Sequence, residues 1–417
     1  MKSKFLTIIT ILISSIIYGQ DIFELGSNDP NNPQKLLIED DGIIGKSGQT
    51  LLISGFVEIS HKDENIYADN ARRIFLKFDK IKFENNGIIY TKSDLGLYPT
   101  KYLGGHVKIK SIRGILGKSG QTNNTQAPPI TQKAQSGGNG SNGRSASCGT
   151  KWDGLVPEFY NKGCHNGGAG GNGKHGAKGK RGSDGGNGEN GTHSSNILIE
   201  LNKITLDENL KIDIEAQGGD GANGGDGQKG GVGGEGGNGG RGGNGGNGNE
   251  CGRSACDGGR GGNAGNGGDG GDGGDGGNGG RGGNGGLIEI YFSEPNMQDF
   301  LFQGIDKKVV AKYKGGKGGR PGIGGEGGEG GSPGSRGCGG GKGHAEGIPD
   351  IWQDNGDNGG CGNTGAKGNI GQRGKNGKWG EPGQDGKLRH SNYKYVEERS
   401  TDFFNMPNKT EGKYIII

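Results

Sequence analysis

Large apolar side chains are scarce in this chain: only 27% of its 417 residues are hydrophobic and 6% are aromatic. That stock excludes an oily core running the whole length. Proline is also short, at 12 residues against 103 glycines, which argues against a collagen triple helix with its proline-rich X and Y positions. Charge of one sign is not in excess, since 49 Lys+Arg against 46 Asp+Glu give +3. The charges are interspersed, which favours solubility and gives no nucleic-acid signature. The 7 histidines are scattered, and no Ser/His/Asp, Cys/His or paired-carboxylate set can be assembled. Enzymatic activity, a cofactor and a metal are therefore not expected. Gly45-Lys46-Ser47 and Gly117-Lys118-Ser119 do not make phosphate-binding loops, because Asp40 and Ile112 stand where the first glycine of that motif belongs.

Long apolar runs are confined to the N-terminus. Lys2 and Lys4 precede Phe5 to Ile17, and Gly19-Gln20 offers a small-residue cleavage point, so residues 1–20 read as a signal peptide. Its Tyr18-Gly19-Gln20 ending is similar to signals of Bacteroidota. No lipobox cysteine is present and no later run is long enough to span a membrane, so the protein is expected to be secreted or displayed at the cell surface. Export permits disulfides, and the 6 cysteines form an even set.

What the chain has is glycine in phase. Every third residue is glycine from Gly167 to Gly191, from Gly218 to Gly248, from Gly316 to Gly343 and from Gly356 to Gly386, and again from Gly259 to Gly286. An extended helix with three residues per turn places such glycines on one ridge, and a bare ridge lets another backbone approach closely. That helix has no internal hydrogen bonds, so its N–H and C=O groups need lateral partners. The pattern predicts three antiparallel hairpins of polyglycine-II helices. Arms 218–248, 258–286 and 316–343 have mostly two glycine ridges. Arm 356–386 has one and belongs at an edge, as does much of 167–191. Asp269, Asp272 and Asp275 fall on one ridge at about 9 Å spacing, too far apart to share an ion, and read as a solvated acidic face.

The expected fold class is mainly β plus polyglycine-II. An N-terminal β-rich domain at 21–113, a small sandwich or roll, and a foot of β-strands would carry a six-helix bundle at 114–387. Alternating or β-branched runs at 35–38, 49–53, 73–78, 88–91 and 106–112 read as strands. Linkers 196–217 and 287–313 read as strand pairs between hairpins, and 388–417 as a C-terminal β tail. Gly42 to Thr50 recurs almost unchanged as Gly114 to Thr122.

The cysteines lie at mirrored positions about the three turns, which predicts bridges Cys148–Cys164, Cys251–Cys256 and Cys338–Cys361. The turns also hold the candidate binding residues: Trp152, Phe159 and Tyr160 in the first, Arg253 in the second, Ile351 and Trp352 in the third. Aromatic side chains at loop tips favour recognition.

The pattern over roughly 114–386 resembles polyglycine-II bundle proteins: the antiparallel, disulfide-stapled Gly-Gly-X bundle of snow flea antifreeze protein, and bacteriophage tail-tip adhesins that join a β-rich attachment domain to a polyglycine-II sandwich with host-binding loops. The resemblance implies a secreted or surface-displayed adhesin-like protein whose rigid rod presents recognition loops to a surface glycan or protein. The alternatives are an ice-binding protein and a structural component of an extracellular matrix or filament.

Overall fold

A computed structural model describes residues 22–392 and 414–417, apart from 40–42, 46–47, 69–70, 85–86, 123–124, 154–155, 202, 204–209, 248–254, 294–300, 303–307 and 345–354; for 148–153, 156–162, 392 and 414 it describes the backbone alone. The strands form successive coils of a three-faced solenoid. The first coil is β1 (Ile22–Leu25), β2 (Gln34–Ile38) and β3 (Ile43–Ile44). The second is β4 (Thr50–Ile53), β5 (Phe56–His61) and β6 (Arg73–Leu76), and the third β7 (Lys80–Phe83), β8 (Ile88–Thr91) and β9 (Asp94–Leu97). The fourth runs β10 (Lys101–Tyr102) and β11 (His106–Ser111), then makes a long excursion bearing a ribbon of β12 (Ser147–Asp153) and β13 (Val156–Lys162), and closes with β14 (Ile197–Leu201). The last two coils hold β15 (Lys211–Glu215) with β16 (Leu287–Phe292), and β17 (Val309–Lys312) with β18 (Lys387–Asn392). One sheet runs β1-β4-β7-β10, the second β17-β15-β11-β8-β5-β2, and the third β18-β16-β14-β9-β6-β3, all parallel. A C-terminal strand, β19 (Tyr414–Ile416), pairs antiparallel with β2 and covers the edge of the second sheet.

Side-chain alternation explains why these segments stack. In-register columns of apolar residues line the interior: Val57, Ile89, Ile109 and Ile214 on the second sheet, and Ile74, Leu95, Ile197 and Ile288 on the third. All eight are 0–1% exposed. Leu51 and Ile81 do the same for the first sheet, with Tyr102 above them. Each coil thus buries the apolar half of a two-residue period against its neighbours.

The fold class expected from the sequence is overturned by these sheets. The chain is a β-rich solenoid of parallel strands; Leu301 and Phe302 are the helical residues among those described, and a helical bundle on a separate β domain is not what forms. The stretches 196–217 and 287–313 are not strand pairs. Their strands β14, β15, β16 and β17 go alternately to the third and second sheets and pair with other coils. The physical reason is that a coil delivers consecutive strands to different faces, so parallel partners lie a whole coil apart in sequence. The stretch 21–112 is likewise the first coils of this solenoid rather than a sandwich.

The glycine-rich hairpins are the corners between the second and third sheets in the last three coils, drawn out into arms. Outgoing arms stack on outgoing arms and return arms on return arms, and the two layers bond to each other. The triplet Gly261-Gly262-Asn263 shows the rule. The Gly261 N–H donates to the Gly360 carbonyl on the next return arm (2.9 Å), and the Gly262 N–H donates to the Gly240 carbonyl on its own outgoing arm (2.8 Å). The Asn263 N–H donates to Asn172 Oδ1 on the previous return arm (2.9 Å), while Asn263 Oδ1 accepts from the Asn363 N–H (2.8 Å). All three backbone donors of the triplet are satisfied.

The outer limit of the array is written in side chains. Where the return arm 258–286 has Gly267, Gly270, Gly273, Gly276 and Gly279, the arm 356–386 has Lys367, Ile370, Arg373, Asn376 and Trp379, so no further segment can pack there. On the outgoing arm, Pro321 and Pro333 occupy the positions of Gly224 and Gly236, whose N–H groups donate to the arm above. Proline removes the unpartnered donor. Asn376 Oδ1 and Asp385 Oδ1 accept from Gly324 and Gly315 N–H at 3.0 and 2.9 Å.

Candidate functional site

Parallel stacking of the three hairpins brings the described ends of their arms together at one end. Near that end the Ala146 N–H donates to the Asn247 carbonyl (2.7 Å), Ser145 Oγ accepts from the Asn247 N–H (3.3 Å), and Asn247 Oδ1 accepts from the His344 N–H (3.1 Å). On the return side, Asn166 Oδ1 accepts from the Asp257 N–H (3.0 Å) and Asp257 Oδ1 from the Asp357 N–H (2.7 Å). The first turn is a two-stranded ribbon in which Trp152 is opposite Pro157, Phe159 opposite Thr150 and Tyr160 opposite Gly149. Alternation puts backbone positions 150, 152, 157 and 159 on one face of the ribbon and 160 on the other. Arg253, Ile351 and Trp352 lie outside the described residues.

The bridge at this end joins two hairpins. Cys164 is bonded to Cys256, with Cα atoms 5.9 Å apart and a sequence separation of 92. This corrects the mirrored pairings Cys148–Cys164 and Cys251–Cys256. Mirror symmetry describes the antiparallel partners within a hairpin, but the starts of two return arms also lie side by side, and there Cys164 meets Cys256. Cys251 and the Cys148 side chain lie outside the described residues. Cys338 and Cys361 are exposed thiols, not a formed bridge. They stand opposite each other on the two arms of the third hairpin, where the Gly362 N–H donates to the Gly337 carbonyl at 2.9 Å.

The ridge of Asp269, Asp272 and Asp275 proves to be structural. Their Oδ1 atoms accept from the N–H groups of Asn369, Gln372 and Lys375 at 2.8, 2.9 and 2.7 Å. The Gln372 amide, with Lys178 beside it, holds Asp272 below the usual carboxylate range. The signal was in the sequence: Asn and Asp recur at the third position of the triplet because each reaches one strand spacing to the next amide. Trp379 was likewise not among the turn residues, yet it stands 68% exposed on the outermost arm.

At the opposite end, where arms leave the solenoid, a polar cleft of about 820 Å³ is lined by Tyr67, Lys118, Glu189, His193, Arg281 and Glu381 among others. Arg281 and Glu381 are paired across it. The base of the first arm is anchored beside it. Arg113, fully buried, donates from Nη1 to Glu64 Oε1 (3.3 Å) and from Nη2 to the Ala68 carbonyl. Ser93 Oγ also donates to Glu64, at 2.6 Å. Asp94, close by, accepts from the Asn196 N–H and Nδ2 at 2.7 and 3.0 Å. Burial nevertheless pushes its carboxyl up from 3.8 to about 6.

Among the described residues no cluster of three or more His, Cys, Asp or Glu side chains could hold a metal ion, and no helix is long and apolar enough to cross a membrane. Comparison with protein-family models, with curated proteins and with solved structures gives no match.

Proposed function

We propose that this is a secreted or surface-displayed binding protein in which the solenoid is the base and the glycine arms are a stiff spacer. The observation that supports this is the alignment of the described ends of the three hairpins at one end of a laterally bonded array, with backbone positions 152, 159 and 160 on the ribbon of the first turn. Arms of about 30 residues hold the ends of the hairpins away from the solenoid. Continuous lateral hydrogen bonding makes the spacer rigid, so a recognition surface at its end loses little conformational freedom on binding. Tryptophan and tyrosine suit such a surface because they offer large contact area with few rotors. The partner is a surface glycan or protein.

The test is binding of the full chain to immobilised glycans and to intact cell surfaces, with Trp152→Ala and Trp352→Ala compared with the parent. Loss of roughly tenfold or more in affinity, with an unchanged thermal midpoint, supports recognition by the turns. Unchanged binding by the double variant removes the turns as the site.

A further inference from the structure

Cys338 lies on the outgoing arm of the third hairpin and Cys361 on its return arm. The backbones are adjacent here: the Gly362 N–H donates to the Gly337 carbonyl at 2.9 Å, and the Gly359 N–H to the Gly340 carbonyl at 2.9 Å. Both thiols are exposed, and positions 338 and 361 stand directly opposite each other between those two bonds. They are thus two nucleophiles facing each other across paired arms, open to solvent, on a backbone held in place by bonds on either side. A thiol in an apolar interior would be inert. These are not interior, and neither is used by the bridge already formed.

We propose that Cys338 and Cys361 form a thiol–disulfide exchange site that closes to an intrahairpin bridge on reaction with a low-molecular-weight disulfide such as oxidised glutathione. The Cys361 thiolate attacks one sulfur of the small disulfide, breaking its S–S bond and expelling one thiolate, which takes up the proton that Cys361 lost. Cys338, giving up its own proton, then attacks the Cys361 sulfur of the mixed disulfide and expels the second small thiol. Two electrons and two protons pass to the small disulfide, which leaves as two thiols. Cys361 is suited to the first attack because the Gly339 amide, the Cys338 S–H and the neighbouring Arg336 hold its thiol below the ordinary range. The exchange joins the two arms just short of the turn at 343–356, which carries Ile351 and Trp352. Its chemistry does not depend on what that turn binds.

The experiment titrates the full chain, with Cys338 and Cys361 reduced, against oxidised glutathione, followed by alkylation and peptide mapping. The expected result is joint loss of both thiols along one titration curve, with a Cys338–Cys361 cross-linked peptide. In Cys338→Ser, Cys361 stops at the glutathione adduct. A stable glutathione adduct in the parent, retention of both alkylatable thiols, or a cross-link from either cysteine to another position overturns the proposal. Peptide masses distinguish these from the Cys164–Cys256 pair.

Discussion

A methyl group on Gly271 would lie 1.9 Å from the Lys180 carbonyl oxygen, whereas one on Gly360 meets nothing within 4 Å. Both are glycines of neighbouring arms, but Gly271 is on the every-third ridge of its arm and Gly360 is off the ridge of its own. Gly271→Ala must force two bonded backbones apart and is expected to cost at least about 1–3 kcal/mol. Gly360→Ala is expected to stay within about 0.5 kcal/mol of the parent. Thermal unfolding of the two variants checks the pair. Asp94 gives a pH prediction at the same scale. Its carboxyl titrates at about 6 in the folded chain against 3.8 unfolded, so the folded state holds the extra proton between those values. Stability from this group is present at low pH and falls as pH rises through that window, by about 3 kcal/mol in total. Asp94→Asn is expected to lose that fall, seen as a smaller drop in thermal midpoint between pH 4 and pH 7 than in the parent.

Among the elements, individual strands were the legible part. His106–Ser111 alternates buried and half-buried positions, and the sequence shows the same alternation. Their arrangement was not legible, because a period of two serves a sandwich and a solenoid equally well. Parallel register is fixed by columns such as Ile74, Leu95, Ile197 and Ile288, which draw on residues up to a whole glycine excursion apart. Strand β9, with Gly96 in its middle and all four residues buried, has no alternation to detect. The near-repeat of Gly42–Thr50 at Gly114–Thr122 shows context overriding local sequence. Gly45 and Gly48 take φ of +109° and +84° in a coil corner, while Gly117 and Gly120 donate to Asp220 and Asn223 in the arm ladder. The junction between these worlds depends on Arg113 and Glu64, with side chains 1% and 3% exposed. Glu64→Gln leaves a buried guanidinium without its counter-charge. It is expected to destabilise by about 3–5 kcal/mol, with faster amide exchange along 113–120 than along the second arm as the local readout.

For the whole molecule, the glycine phase made the arms, their hairpin pairing and the exposed position of 356–386 readable, since bare ridges are needed only where a neighbour approaches. It did not show that the arms are corners of one solenoid, and so it gave the wrong partners for cysteines near the turns. Stacking coil on coil, rather than folding each hairpin on itself, is what sets the Cys164–Cys256 bridge. Closing that separation of 92 residues restricts the unfolded chain enough to contribute about 4–5 kcal/mol in the loop-entropy picture, and it ties two of the three hairpins at the proposed recognition end. Peptide mapping of the full chain without reduction tests this arrangement most directly. The stacked-corner account predicts a cross-linked peptide pair containing Cys164 and Cys256. Finding Cys164 joined to Cys148, or Cys256 joined to Cys251, would contradict it and return the hairpins to independent, self-stapled units.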